Sequence, residues 1–160
     1  MLAVIDRSGE AATARFERHW EHPSEDVWAF LTENDKLAQW FPELRADDLR
    51  KGGAIRFNMP DGTSLDMDIL ELKPYSVLEY TWGEDRVRFE LISEPEGCRL
   101  ILLETMNKIT EHTPKDLAGW HVCLDVIGLL LDGKTMASRK SVWETWYRQY
   151  VELLEKPASS

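Results

Sequence analysis

One long helix with a wide apolar stripe, arriving after an almost unbroken run of strand-like segments, constrains this chain more than any other feature. The stripe runs from about Pro114 to Leu131. Leu117, Trp120, Cys123, Leu124, Ile127, Leu130 and Leu131 recur at helical spacing, while His121, Asp125 and Asp132 mark the opposite, solvent-facing side. Thr113 suits the cap, Pro114 the first helical position and Gly133 the stop. So wide a stripe needs a broad apolar partner, and the preceding segments offer a large antiparallel sheet. A helix laid across a curved sheet either packs against it completely or leaves a cavity. The question of function begins between the two.

The sheet is legible as alternation. From Ala12 to His22, Ala14, Phe16, Arg18 and Trp20 share one face. Pro23-Ser24-Glu25-Asp26 then opens a short helix, with Ser24 as cap and Val27, Trp28, Phe30 and Leu31 inward. Asn34 or Asp35 caps a second one through Trp40, and Pro42 ends it. Strands follow, with Ile55, Phe57 and Met59 in one phase, then Leu65, Met67 and Ile69 after the Pro60-Asp61-Gly62 turn. Leu70 and Leu72 slip into the other phase, which predicts a bulge. Leu78, Tyr80 and Trp82, then Val87, Phe89 and Leu91, mark two more strands. Arg99 to Met106 is the most apolar segment and so is expected at the centre of the sheet. A last helix over about residues 140–155 carries Trp143, Trp146, Tyr147 and Tyr150, and the tail Lys156 to Ser160 reads as frayed.

Composition narrows the function classes. The chain reads as one α+β domain over residues 1–160, its core spanning about 12–132. A formal net charge of −10 denies it the basic face that nucleic acid requires, and it weakens any attraction to anionic membranes. No apolar run is long enough to cross a bilayer, so no membrane insertion is expected. Met1 to Glu10 lacks a secretory signal, which predicts a cytoplasmic protein with reduced, buried thiols at Cys98 and Cys123; the spacing leaves a disulfide between them open. Seven tryptophans supply large flat surfaces for a core or a pocket wall.

Catalytic and metal signatures are sparse. Gly52-Gly53 is not followed by the Lys-Ser/Thr of a phosphate loop, and the cysteines and histidines never approach zinc spacing. No cofactor and no metal are expected. His112, in the loop before the long helix, could donate to a ligand at a cavity mouth. Arg18 and Glu104 occupy inward phases of two strands. If those strands are neighbours, the pair could meet, either as a structural ion pair or as a polar anchor for an apolar ligand.

The order strand, two short helices, six strands, long helix and extra terminal helix resembles the helix-grip arrangement of the START-like (SRPBCC, Bet v 1-like) superfamily. Within it the sequence is similar to the Hsp90 ATPase activator homologue family. The residues that carry this are Pro23-Ser24-Glu25-Asp26-Val27-Trp28-Ala29-Phe30-Leu31-Thr32, Leu37-Ala38-Gln39-Trp40-Phe41, Gly52-Gly53 with Ile55 and Phe57, and Gly119-Trp120-His121 with Leu124-Asp125. The resemblance implies a seven-stranded antiparallel sheet gripping the long helix around an apolar cavity. It places Trp40, Phe57, Trp82, Trp120 and Leu124 on the cavity wall, and strand phase adds Met59, Leu65, Met67, Tyr80, Phe89, Met106 and Ile127.

The expected function is a binding module for a small hydrophobic molecule, lipid-like, aromatic or polyketide-like. A second reading is a co-chaperone-like, stress-related regulator of an Hsp90-type ATPase. In the eukaryotic activator a further N-terminal domain accompanies this one, and the segment ahead of Ala12 is too short to supply it. A third reading, a cavity enzyme, would have to recruit Glu104, His112 and Arg18. Both a monomer and a homodimer through the aromatic terminal helix are compatible with the sequence.

Overall fold

Strand alternation becomes an eight-stranded, wholly antiparallel sheet in the computed structural model, which describes residues 1–155; the tail from Lys156 to Ser160 lies outside the described residues. The elements in chain order are β1 (Val4–Ser8), β2 (Ala11–Trp20), α1 (Ser24–Thr32), α2 (Asn34–Trp40), β3 (Leu44–Asp48), β4 (Ala54–Asn58), β5 (Ser64–Lys73), β6 (Val77–Trp82), β7 (Asp85–Glu94), β8 (Gly97–Met106), α3 (Thr113–Leu131) and α4 (Arg139–Glu155). The strands lie in the order β1-β2-β8-β7-β6-β5-β4-β3, so β8 is flanked on both sides, as its apolar run demands.

The expected sheet had seven strands; the eighth is β1. It pairs with β2 through a two-residue Gly9-Glu10 loop, where Gly9 takes the positive φ of 62° that such hairpins need at that position. Its signal is weak because it is an edge: Val4 faces solvent and only Ile5 and Arg7 are half-buried. The predicted slip in β5 is real, since the β5–β6 register shifts between Ile69 and Glu71. Between β3 and β4 the backbone closes on itself. A Cβ on Gly53 would sit 1.9 Å from the Asp48 carbonyl oxygen, so only glycine fits.

Two predicted caps do other work. Ser24 makes no cap bond, and its hydroxyl pairs with Ser93 Oγ at 3.0 Å, tying α1 to β7. The Asn34 side chain clamps the Ala46 backbone instead, accepting from its N–H at 2.7 Å and donating to its carbonyl at 3.1 Å. At the start of α3, Thr113 lies inside the first turn and its hydroxyl accepts from the Thr110 N–H. Gly133 does stop the helix, with φ of 74°.

The largest correction concerns the polar side of α3. His121 was expected in solvent, yet it is 1% exposed. Helix α4 folds back over it: the Trp146 ring stacks on the imidazole at 3.8 Å, and Tyr150 Oη shares a 2.7 Å hydrogen bond with His121 Nδ1. Asp125 accepts from Trp146 Nε1 at 2.9 Å. Tyr150 Oη also accepts from the Ala3 N–H at 2.9 Å, which brings the segment preceding β1 into the same joint. Burial and the Arg18 guanidinium push the His121 pKa down to about 3, so the imidazole is neutral there.

This joint makes a specific expectation. Tyr150→Phe keeps the ring but orphans the Ala3 N–H and His121 Nδ1, which should cost about 1–3 kcal/mol in urea unfolding. An unchanged midpoint would show that the α4 joint is held by ring packing alone.

Candidate functional site

Helix α3 lies against the inner face of the sheet, and its N-terminal half meets an aromatic cluster drawn from four other elements. Trp82 at the end of β6 and Trp120 on α3 have ring centroids 4.9 Å apart. Phe41, just after α2, touches Trp120, Trp82 and Phe57 at 6.1, 5.8 and 5.8 Å. Phe89 on β7 closes on Trp120 at 5.9 Å, and Tyr80 lies behind it at 6.3 Å. Centroid distances in this range are those of edge-to-face packing, which favours a dense wall over a sandwich of stacked rings.

At the end of this cluster the packing opens. A cleft of about 520 Å³ is lined by Trp82, Gly83, Glu84, Asp85, Met106, Asn107, Lys108, Thr110, His112, Thr113 and Asp116. A smaller cavity of about 150 Å³ lies on the other side, lined by Phe41, Trp82, Asp116, Gly119, Trp120, Cys123 and Arg139. Trp82 and Asp116 belong to both walls. They are joined by a hydrogen bond from Trp82 Nε1 to Asp116 Oδ1 of 3.0 Å, which makes the pair a latch between the two spaces.

Two buried polar side chains sit beside this latch. Glu104, on β8 one inward step from Met106, is 0% exposed, and neither of its oxygens finds a hydrogen-bond donor in the protein. Burial raises its pKa well above 4.5; the retained proton is shared with the Asp116 carboxyl, and the charges of Asp116 and Asp85 push it further the same way. Burial and the neighbouring carboxyls thus favour the protonated form of Glu104 in the fold. The second is Trp120, whose Nε1 is an orphaned N–H in the wall of the smaller cavity. Native proteins leave few such groups unpaired.

The expected site residues divide accordingly. Trp40, Met67, Tyr80, Phe89, Met106, Trp120, Leu124 and Ile127 are all buried in one core, packed side chain on side chain. Trp40 is engaged further by donating to the Phe30 carbonyl at 2.7 Å. Phe57 and Trp82 are half-buried against that core. Met59 sits past the end of β4 and is half-buried beside the hairpin turn, where Thr63 Oγ1 contacts its sulfur. Leu65 is 54% exposed on β5, outside the core altogether. His112 stands on the cleft rim, as its loop position implied.

The anticipated Arg18–Glu104 pair does not form, although β2 and β8 are neighbours. Register explains it: Arg18 stands opposite Leu100 and Glu104 opposite Ala14, four residues apart, or roughly 13 Å along a strand. Arg18 turns instead to His121 Nε2 at 3.4 Å and to the Glu17 carbonyl at 2.7 Å. Cys98 and Cys123 are both free and buried, and Arg139 Nη2 lies 3.4 Å from Cys123 Sγ. Asp116, Phe41 and Arg139 also line the smaller cavity and stand outside the set expected from spacing and resemblance. Asp116 carried no signal beyond being an acid in a first helical turn.

The profile of the family described as Activator of Hsp90 ATPase homolog 1-like protein matches residues 21–132, from the end of β2 to the end of α3. The chain belongs to that family. Its matched region contains the aromatic cluster, the latch and Glu104, whereas α4 lies beyond it. Solved structures similar to this chain share its helix-grip-like fold. A conserved protein of unknown function from Enterococcus faecalis (EF2215) is 28% identical, with a TM-score of 0.84 over 95% of this chain and 90% of that one. CalU16 from Micromonospora echinospora is 21% identical, with a TM-score of 0.76 over 96% and 98% of the two chains. DynU16, from the dynemicin biosynthetic locus, is 23% identical at a TM-score of 0.67, covering 77% of this chain and 48% of that one. No curated protein matches the chain. Among the described residues no helix is long and apolar enough to cross a membrane.

Proposed function

We propose that this protein is a binding module that holds a small hydrophobic molecule between α3 and the sheet, admitted through the cleft beside Trp82. The observation that carries this reading is the orphaned Trp120 Nε1 in the wall of the smaller cavity, together with the acid Glu104 buried against Asp116 of the latch. A core built only for stability would gain by replacing both with apolar atoms. The aromatic cluster supplies the apolar wall, and swinging Trp82 aside would join the two spaces into a volume suited to a small organic ligand.

Closure of the latch in the free protein sets a conformational cost on binding, so freeing Trp82 should tighten it. Asp116→Ala removes the acceptor for the indole. It is expected to bind the neutral fluorophore phenylnaphthylamine several-fold more tightly than the native chain, read by probe emission and by tryptophan quenching. Native protein and variant alike failing to bind this probe, flavonoids or fatty alcohols would sink the reading.

The family description also names regulation of the Hsp90 ATPase. Stimulation of a purified Hsp90 by this chain, measured as ATP turnover, tests that activity separately from ligand binding.

A further inference from the structure

The groups around the latch are not neutral as a set. Asp116 reaches it from α3, Asp85 from the start of β7, and Glu104 from β8, while Glu84 stands on the cleft rim in the turn between β6 and β7. Against these, Lys108 and His112 line the rim, and Arg139 lies beyond Trp120, against Cys123. The strands flanking β8 place only Ala14 and Val87 opposite Glu104, so no cation reaches it from the sheet. Asp85 is already spent on the Asn107 N–H at 3.0 Å, and one Asp116 oxygen on Trp82. What is left is the pair Glu104 and Asp116, two carboxyls that hold a single proton between them next to the Trp82 indole N–H.

We infer that the molecule this site takes is a hydrophobic amine: a protonated nitrogen seated between Glu104 and Asp116, with its apolar body in the aromatic cluster. This rests on the binding-module reading above and adds the chemistry of the ligand. An ammonium group brings up to three donors and no acceptor, which is what two acceptor-rich carboxyls lack. A ligand carboxylate would meet Asp116, Asp85 and Glu84 together and is disfavoured. A neutral hydroxyl could satisfy Glu104 but would leave the Asp116 charge uncompensated in the closed site.

The proton account is closed. In the free protein Glu104 carries its proton; a bound ammonium makes the carboxylate the better state, so the Glu104 O–H bond breaks and one proton leaves to solvent per amine bound. The ligand keeps its own proton, and no other reactant is needed. Amine affinity therefore rises with pH, whereas the affinity of a neutral isostere does not.

Three probes of one shape decide this: naphthylethylamine, naphthylethanol and naphthylacetate, titrated calorimetrically in buffers of different ionisation heat. The amine is expected to bind tightest and the acid weakest. Amine affinity should rise about tenfold per pH unit below the folded pKa of Glu104, with one proton released. Glu104→Gln keeps the shape and the uncharged state of the native side chain, and should abolish both the proton release and the pH slope. Should that variant fail to fold, Asp116→Asn serves, expected to weaken the amine and to strengthen the alcohol, reversing their order. An alcohol that binds as tightly as the amine, with no proton released, overturns the inference and leaves the cavity reading standing. Silence of all three probes alongside a saturating phenylnaphthylamine titration does the same; silence of all four removes the binding module as well.

Discussion

Trp120→Ala is expected to cost about 3–5 kcal/mol of unfolding free energy, the largest effect of any substitution near the site. Trp120 is 2% exposed and stands where α3, β6, β7 and the segment after α2 converge, in contact with Trp82, Phe89 and Phe41. Its truncation removes both the transfer energy of the indole and the neighbours' contacts with it, and those neighbours are rings held by other elements. The surrounding cluster cannot collapse to refill the space, because Trp82 is tied to Asp116 and Phe89 to the sheet. Urea unfolding measures the loss, and added indole should restore part of it by occupying the vacancy. A loss below about 1 kcal/mol would mean that α3 and the sheet do not depend on this indole for their packing.

Glu104→Leu is expected to act in the opposite direction and raise stability at neutral pH by about 1–3 kcal/mol, the cost of burying a carboxyl that no donor reaches. The effect should depend on pH, and its sign follows from proton counting. The unfolded carboxyl titrates near its ordinary 4.5, while the folded one holds its proton to well above that, chiefly because it is buried. Between those values the fold binds a proton that the unfolded chain has lost, so native stability falls as pH rises through that window. The leucine variant lacks this slope, and its advantage should be smallest in acid and grow toward mildly alkaline pH. Chemical unfolding at acid, neutral and alkaline pH checks it. A leucine variant less stable than the native chain at every pH would show that Glu104 is a structural group. If the expected gain is seen together with loss of amine binding, stability has been given up at this position in exchange for a ligand site.

How far each of these residues could be read before the fold was known varies with the kind of information involved. Leu117, Leu124 and Ile127 were legible because helical spacing alone puts them on one stripe, and the sheet does bury them. Phe57, Tyr80 and Trp82 were legible by alternation. Leu65 was misplaced by the same rule, since it keeps the phase of Met67 but sits near the end of β5, where little covers it. Strand β1 was missed for a related reason, as a short edge strand needs almost no apolar residues to be held by its neighbour.

The polar residues were decided by register and docking. Arg18 and Glu104 share neighbouring strands and an inward phase, yet a stagger of four residues sends one to His121 and leaves the other beside Asp116. His121 and Asp125 looked like a solvated face because nothing local to α3 announces that α4 will fold back on them.

The amino-acid sequence by itself determined the order of the elements from β2 onward, the bulge in β5, the aromatic content of the wall and the apolar stripe of the long helix that needed a sheet. Those follow from spacing along the chain, which records whether a face is buried. Only the tertiary structure decided that Trp82 is latched to Asp116, that Glu104 is buried against the same carboxylate, and that the other side of the same helix is covered by α4. Spacing carries no information about which distant element covers a face, and the chemistry of this site is set by that pairing.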